Sequence, residues 1–158
     1  MRSHEKYLIV LFCLLSILSG CYNSNSITEK ELNQFVNKEN LKFVSIKRLN
    51  NSEAYIFSSP YIYIYRDSSN FSKSTVSIRN GISFGGLEKG SIGLIINNTE
   101  VLRNAKTYCV VIDGKSREYE YLGEKYLIIE DYRIWNPTAQ MKIQFLNDKN
   151  EKLFETDY

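Results

Sequence analysis

The sequence predicts a mainly β protein, a single antiparallel β-sandwich preceded by one short helix. From residue 41 onward, runs of about five to eight residues rich in Ile, Val and Tyr recur, and several alternate apolar and polar side chains. Asn80-Gly81 and Asp113-Gly114 are the sharpest of the turn signals between them, because both residue types tolerate the positive φ of a tight hairpin. No stretch between these runs has the length of a crossover helix, which argues against a parallel sheet.

The helix comes first along the predicted domain. Thr28 is suited to cap it and Glu31, three residues later, completes the pattern of a capping box. Apolar side chains then follow at helical spacing, which predicts a helix over Glu29–Lys38. Nine strands are predicted after it, over residues 41–49, 53–57, 61–66, 74–79, 91–97, 106–112, 116–122, 125–131 and 141–147.

An apolar run, Tyr7 to Leu18, follows a short basic start at Arg2 and Lys6. A helix of about twelve residues rises about 18 Å, whereas the hydrocarbon core of a bilayer is about 30 Å thick. The run is therefore too short to span a membrane and has the length of the apolar region of a signal peptide.

The run ends in Leu18-Ser19-Gly20-Cys21, which resembles the lipobox of bacterial lipoproteins: an aliphatic residue, two small residues and a cysteine. The resemblance implies that the Cys21 sulfur receives a diacylglycerol, that a signal peptidase recognises Leu18, Ser19 and Gly20 and cleaves after Gly20, and that the new amine is acylated. More than one acyl chain is what stable anchoring requires. The expected organisation is a cleaved signal peptide at 1–20, a lipidated cysteine with a polar tether at 21–27, and the β-sandwich domain with its helix at 28–158.

The composition excludes several classes of function. The chain has 20 basic and 18 acidic side chains and no basic stripe, so we expect no nucleic-acid partner. Its single histidine, His4, lies in the predicted signal peptide, so the exported chain would lack the usual general base and metal ligand. We expect no metal and no cofactor. Cys109 would be the one free thiol and, within an apolar run, is predicted to be a buried side chain.

Two features hint at catalysis. Residues 81–85 fit the pattern G-x-S-x-G, but a nucleophile elbow needs a helix after it and a later histidine, so Ser83 is not predicted to be a nucleophile. The carboxylates Glu118, Glu120, Glu124, Glu130 and Asp131 cluster in sequence. A pair of them could act on glycosides if held at the right separation, although an exposed acidic face is the ordinary explanation.

Tyrosines alternate along one predicted strand. Tyr61, Tyr63 and Tyr65 would project from one face, and Ile62 and Ile64 from the other. Tyrosine combines a large apolar area with a polar tip, so this face is a candidate surface for binding a protein or a glycan. The alternative is that the tyrosines line the core of the sandwich.

Residues 54–97 also resemble the DUF2846-type domain of bacterial lipoproteins. The shared features are the Tyr63-Ile64-Tyr65-Arg66 strand, the Asn80-Gly81 hairpin and the segment Gly86-Leu87-Glu88-Lys89-Gly90 before an apolar strand. The resemblance weakens after Ile96. It implies a small β-sandwich and indicates no activity.

The sequence thus predicts a non-enzymatic envelope lipoprotein that is anchored to the membrane by lipid on Cys21 and binds a protein or a surface polymer. One alternative is a periplasmic inhibitor or immunity-type lipoprotein, and a remote one is a hydrolase that uses carboxylates without histidine. Because Tyr22 and not aspartate follows Cys21, the resemblance to lipoprotein sorting signals implies the periplasmic face of the outer membrane in a Gram-negative cell.

Overall fold

A computed structural model describes residues 26–134 and 140–157. The predicted lipidation site at Cys21 and the recognition residues Leu18, Ser19 and Gly20 lie outside the described residues. Within the described ranges the chain forms two helices and twelve strands. They are α1 Glu29–Lys38, β1 Ser45–Asn50, β2 Glu53–Ser58, β3 Tyr61–Tyr65, β4 Phe71–Thr75, β5 Ser77–Arg79, β6 Ile82–Glu88, β7 Ser91–Ile96, α2 Thr99–Asn104, β8 Thr107–Ile112, β9 Lys115–Glu120, β10 Tyr126–Glu130, β11 Met141–Leu146 and β12 Lys152–Asp157.

The strands form three four-stranded sheets, and every pairing is antiparallel. The first sheet has the order β1-β2-β3-β4, the second β10-β7-β6-β5 and the third β12-β11-β8-β9. The prediction of a mainly β, antiparallel fold with a short N-terminal helix is confirmed. The sandwich has three sheets, so the second sheet is covered on both faces, and all six residues of its strand β7 are buried.

Helix α1 covers the outer face of the first sheet. Its capping box is present: the Thr28 Oγ1 accepts a hydrogen bond from the Glu31 amide (3.2 Å), and the Glu31 carboxylate accepts one from the Thr28 amide (2.7 Å). Leu32 and Phe35 are buried on the side of the helix that faces the sheet. The helix prediction, Glu29–Lys38, is therefore confirmed at both ends.

This packing corrects the prediction of an open tyrosine face. Tyr63 and Tyr65 are each only 2 % exposed, because Phe35 of α1 lies on them, with ring centroids 5.7 and 4.8 Å away. Tyr61, at the end of the strand, is half-buried. A binding face that needs Tyr63 and Tyr65 to be accessible is wrong, since the helix already occupies it.

Glycines allow the first sheet to approach the second. A Cβ on Gly86 would lie 2.8 Å from the Ile62 Cγ2 and 2.9 Å from the Tyr55 Cε1, and one on Gly93 would lie 3.0 Å from the Tyr55 Cδ1. The buried Tyr55 ring fills this space, and its hydroxyl donates to the Gly86 carbonyl oxygen (2.8 Å). Glycines are typical of tight turns, but most of the glycine-rich stretch 81–90 is strand β6.

The chain changes sheets at Val76, whose amide donates to the Pro60 carbonyl oxygen (3.0 Å). The single strand predicted over 74–79 is therefore two strands, β4 in the first sheet and β5 in the second. The predicted strand 41–49 begins only at Ser45, and β6, β12 and α2 were not predicted. Asn98 caps α2 by accepting hydrogen bonds from the amides of Glu100 and Val101.

The largest apolar core lies between the second and third sheets. Phe84, Leu94, Tyr108, Ile143 and Phe145 are among its members. Neither helix of the described segments is long and apolar enough to cross a membrane.

Candidate functional site

The loop between α1 and β1, residues 39–44, displays an aromatic side chain. Phe43 is 95 % exposed, the largest exposure among the large apolar side chains described. Its backbone lies in the left-handed region, with φ +54°. A bulky L-residue there is strained by about 1–2 kcal/mol, so the surrounding structure must hold it in place.

Contacts on both sides of Phe43 hold the loop. The Leu41 amide donates to the Val36 carbonyl oxygen of α1 (3.0 Å), and the Ser58 Oγ donates to the Lys42 carbonyl oxygen (3.1 Å). The side chains of Leu41 and Val44 pack against the core between α1 and the first sheet. Phe43 therefore stands on a fixed loop between two anchored neighbours.

Tyr61 lies beside this loop. It pairs across the β2–β3 turn with Ser58, the residue that binds the Lys42 carbonyl. The exposed Lys73 on the neighbouring strand places its Nζ 4.0 Å from the centroid of the Tyr61 ring. We call Lys42, Phe43, Tyr61 and Lys73 the Phe43–Tyr61 site; it presents one exposed and one half-buried aromatic ring beside two lysines.

A second candidate is built on Asp131, whose carboxylate is fully buried. The Arg133 guanidinium donates to it (Nη2 to Oδ2, 2.6 Å), and so does the Tyr119 hydroxyl (2.9 Å). Burial raises the pKa of this carboxyl, but the hydrogen bonds from Arg133 and Tyr119 outweigh it and lower the pKa to about 2. Asp131 is thus ionised at neutral pH and fixes the side chains around it.

Arg133 links three segments. Besides Asp131, its guanidinium donates to the carbonyl oxygens of Lys115 (2.7 Å) and Val110 (3.0 Å), on strands β9 and β8. The amide of Asp131 donates to the Gly90 carbonyl oxygen (2.9 Å), and the Gly90 amide donates to that of Ile134 (2.7 Å). The turn 131–134 is therefore fixed to the β6–β7 and β8–β9 hairpins.

This turn presents Tyr132, which is 73 % exposed. The Arg117 guanidinium stacks over its ring, with the Cζ 4.6 Å from the centroid, and donates to its hydroxyl (2.9 Å). An open cleft of about 390 Å³ lies beside the pair; we call it the arginine–tyrosine cleft, and it is lined by Ile112, Asp113, Lys115, Ser116, Arg117, Tyr132 and Arg133. Tyrosine and arginine are the residue types that dominate recognition surfaces.

The structure also shows the surroundings of the side chains that the sequence analysis considered for catalysis. Ser83 is buried within strand β6, and no helix follows that strand directly. Glu118, Glu120 and Glu130 are exposed, and Glu124 accepts a hydrogen bond from the Leu122 amide. The pKa of Asp131 is lowered, which is the opposite of what a general acid needs. Cys109 is buried as predicted, and burial raises its pKa.

Metal-ligating side chains do not gather anywhere in residues 26–134 and 140–157: no group of three or more His, Cys, Asp or Glu side chains there could hold an ion.

Sequence reasoning missed Phe43, Arg117 and Tyr132. Alternation through 41–49 made Phe43 one residue of a strand, and nothing local indicates that β1 begins two residues later, at Ser45. Arg117 and Tyr132 are 15 residues apart and meet because contacts of Arg133 and Tyr119 join their segments.

No family model, no curated protein and no solved structure matches this chain. The resemblances to bacterial lipoproteins and to the DUF2846-type domain therefore stay predictions.

Proposed function

We propose that this protein is a lipid-anchored lipoprotein of the bacterial cell envelope that acts by binding a protein partner and not by catalysis. The lipobox ending at Cys21 supports the anchoring. In a Gram-negative cell the expected place is the periplasmic face of the outer membrane.

The observation that carries the binding role is Phe43. Its ring is 95 % exposed and its backbone is held at a positive φ that a phenylalanine adopts only under constraint. Strain of this kind persists where the surrounding structure enforces it, and it concentrates at functional sites. A rigid exposed aromatic loses little entropy on binding and can fill a pocket of a partner.

Two lysines of the Phe43–Tyr61 site indicate the character of that partner. Lys42 precedes Phe43 in the chain and Lys73 lies over the Tyr61 ring, so a matching surface would carry an apolar pocket rimmed by acidic side chains. Aromatic anchors surrounded by polar residues are typical of protein interfaces. A sugar partner would instead stack on the half-buried Tyr61.

The experiment is site-specific photo-crosslinking in intact cells. A photoreactive phenylalanine analogue replaces Phe43 in the full-length protein, with the buried Tyr63 as the matched control position and the exposed Tyr132 as a control for exposure. We expect one discrete protein adduct at position 43 that is absent at 63 and at 132. No protein adduct at position 43, or the same adduct at all three positions, would contradict the proposal.

The identity of the captured protein separates two roles. A lytic enzyme or toxin would assign the inhibitor or immunity role, whereas an envelope protein would indicate an assembly component. A glycan adduct in place of a protein would overturn the protein-binding proposal.

A further inference from the structure

The chain enters the domain at one end of the sheet stack. The Ile27 amide donates to the Asn51 carbonyl oxygen at the β1–β2 turn (2.8 Å), and the Arg48 guanidinium donates to the Ile27 carbonyl oxygen (2.6 Å). The point of entry is therefore fixed. The Phe43–Tyr61 site lies at the other end of the first sheet, beside the β2–β3 turn.

Direct contacts connect this entry point to the arginine–tyrosine cleft. Arg66 joins the first sheet to the second, with its guanidinium 3.1 Å from the Glu53 carboxylate and 3.5 Å from that of Glu88. Beyond Glu88, the β6–β7 hairpin binds Asp131 through Gly90, and Arg133 reaches the β8–β9 hairpin. The entry point and the cleft consequently lie on the same end of the molecule, which we call the tether end.

The length of the tether sets how far this end can stand from the membrane. Six peptide units separate Cys21 from Ile27, so the two α-carbons are at most about 20 Å apart. This step rests on the proposed lipidation of Cys21. Sheets pack about 10 Å apart, so two sheet spacings, about 20 Å, separate the cleft on the third sheet from the entry point at the first. This lateral distance is about equal to the length of the extended tether.

Charge is unevenly distributed over the tether end. Close to the entry point, Glu31, Glu53 and Asp67 line a cleft that holds one guanidinium, that of Arg66. On the third sheet, Asp131 pairs with both Arg133 and Arg117, so the three cations of Lys115, Arg117 and Arg133 face two carboxylates, those of Asp131 and Asp113, and one positive charge is in excess. An anionic surface would therefore repel the first-sheet side and attract the third-sheet side.

The exposed apolar groups of the tether end fit the same partner. Tyr132 is 73 % exposed, and Leu87, at the end of β6, is 49 % exposed. Tyrosine is enriched at the headgroup level of membranes, because its ring is apolar and its hydroxyl is polar. We propose that the tether end faces the bilayer and that Lys115, Arg117 and Tyr132 contact anionic phospholipid headgroups, which directs the Phe43–Tyr61 site away from the membrane.

The test uses the chain from Cys21 onward, coupled through the Cys21 thiol to a maleimide phospholipid in vesicles; the second thiol, Cys109, is buried. A photoreactive residue stands at Tyr132 or at Phe43, and lipid adducts are measured by mass spectrometry. In vesicles of phosphatidylcholine with 30 % phosphatidylglycerol we expect at least about five times more lipid adduct at 132 than at 43. Equal amounts at the two positions, or more at 43, would overturn the proposal.

Charge reversal provides the second measurement. Lys115→Glu with Arg117→Glu should lower the adduct at 132 by about tenfold or more, since each cation near an anionic bilayer strengthens association about fivefold. The matched control, Lys42→Glu with Lys73→Glu, should leave it unchanged. An unchanged amount of lipid adduct at position 132 in the Lys115→Glu, Arg117→Glu variant would contradict the inference. Because the anchor is chemical, this result does not depend on lipidation in the cell, which is tested separately.

Discussion

Asp131 and Arg133 show how a single buried ion pair can hold a surface site. The carboxylate has no exposure to solvent, while the arginine donates to it and to two strand carbonyl groups. Burying one charge without its partner is strongly unfavourable, so the two side chains depend on each other. The pair anchors the turn that presents Tyr132, the exposed ring to which Arg117 binds.

Removal of Arg133 tests this dependence. Arg133→Ala should lower the free energy of unfolding by about 3 kcal/mol, because Asp131 would stay buried with only the Tyr119 hydroxyl and, 4.0 Å away, the Arg117 guanidinium as partners. Arg117→Ala is the matched control: its side chain is 44 % exposed, and it should lower the value by under about 1 kcal/mol. Chemical denaturation measures both, and equal losses would show that the buried pair has no special role.

The pH dependence of stability follows from the same group. The pKa of Asp131 is about 2 in the folded protein, below the value of about 3.9 for an unfolded aspartate. Because its pKa is lower in the folded protein, ionised Asp131 stabilises the fold above about pH 4. About 2 kcal/mol of this stabilisation is lost as the pH falls towards 2. Unfolding free energies between pH 6 and pH 2 should therefore fall more steeply in the wild type than in Asp131→Asn. Parallel curves would disprove this contribution.

At the scale of elements, α1 is both a structural cover and the connection to the tether. Phe35 fills the tyrosine face, and its ring lies 4.8 Å from those of Tyr65 and Phe71. The helix was predictable because the capping box and the apolar spacing are local in sequence. What it covers was not predictable, since Tyr63 lies 28 positions after Phe35 and alternation alone does not reveal which face of a strand becomes core.

Phe35→Ala should lower the free energy of unfolding by about 3–4 kcal/mol, in the range found for truncating a buried aromatic side chain. It should also make Tyr63 and Tyr65 reactive towards tetranitromethane under native conditions. Gln34→Ala, on the exposed side of the same helix, is the control and should change neither quantity. Unchanged nitration of both tyrosines in Phe35→Ala would show that the helix does not protect them.

The close contact between the first and second sheets depends on glycine. At Gly86 an added Cβ meets both the strain of φ +63° and overlap with Ile62 and Tyr55, whereas at Gly114 it meets the strain of φ +74° and no atom within 4 Å. We expect Gly86→Ala to lower the free energy of unfolding by about 3 kcal/mol and Gly114→Ala by about 1 kcal/mol. Thermal and chemical denaturation compare them, and similar losses would mean that the interface tolerates the added methyl group.

The glycines of the hairpin turns were predictable from the sequence, whereas those of strand β6 were not. Asn80-Gly81 and Asp113-Gly114 were identified as hairpin turns from their dipeptides alone, and both asparagine and aspartate have positive φ there. Gly85 and Gly86 instead belong to strand β6, where a Cβ on Gly86 would overlap Tyr55, which lies on a strand about 30 residues earlier, and a Cβ on Gly85 would crowd Ile62. Local propensity reports the turn but not the long-range contact.

At the scale of the whole molecule, the stack of helix and sheets separates two surfaces. The tether end carries the chain entry and the arginine–tyrosine cleft, and the opposite end of the first sheet carries the Phe43–Tyr61 site. If Cys21 holds the lipid, this arrangement presents Phe43 to proteins in the surrounding space while the cleft stays near the membrane. Anchoring at Cys21 is thus the central claim.

The most direct test is the intact mass of the protein extracted from cell membranes, for the wild type and for Cys21→Ser. We predict that the wild-type chain begins at Cys21 and carries the added mass of a diacylglyceryl group, with a further acyl chain on the amine. The variant should keep residues 1–20 and carry no lipid. A wild-type chain that retains residues 1–20, or one that is cleaved elsewhere and lacks lipid, would contradict the account.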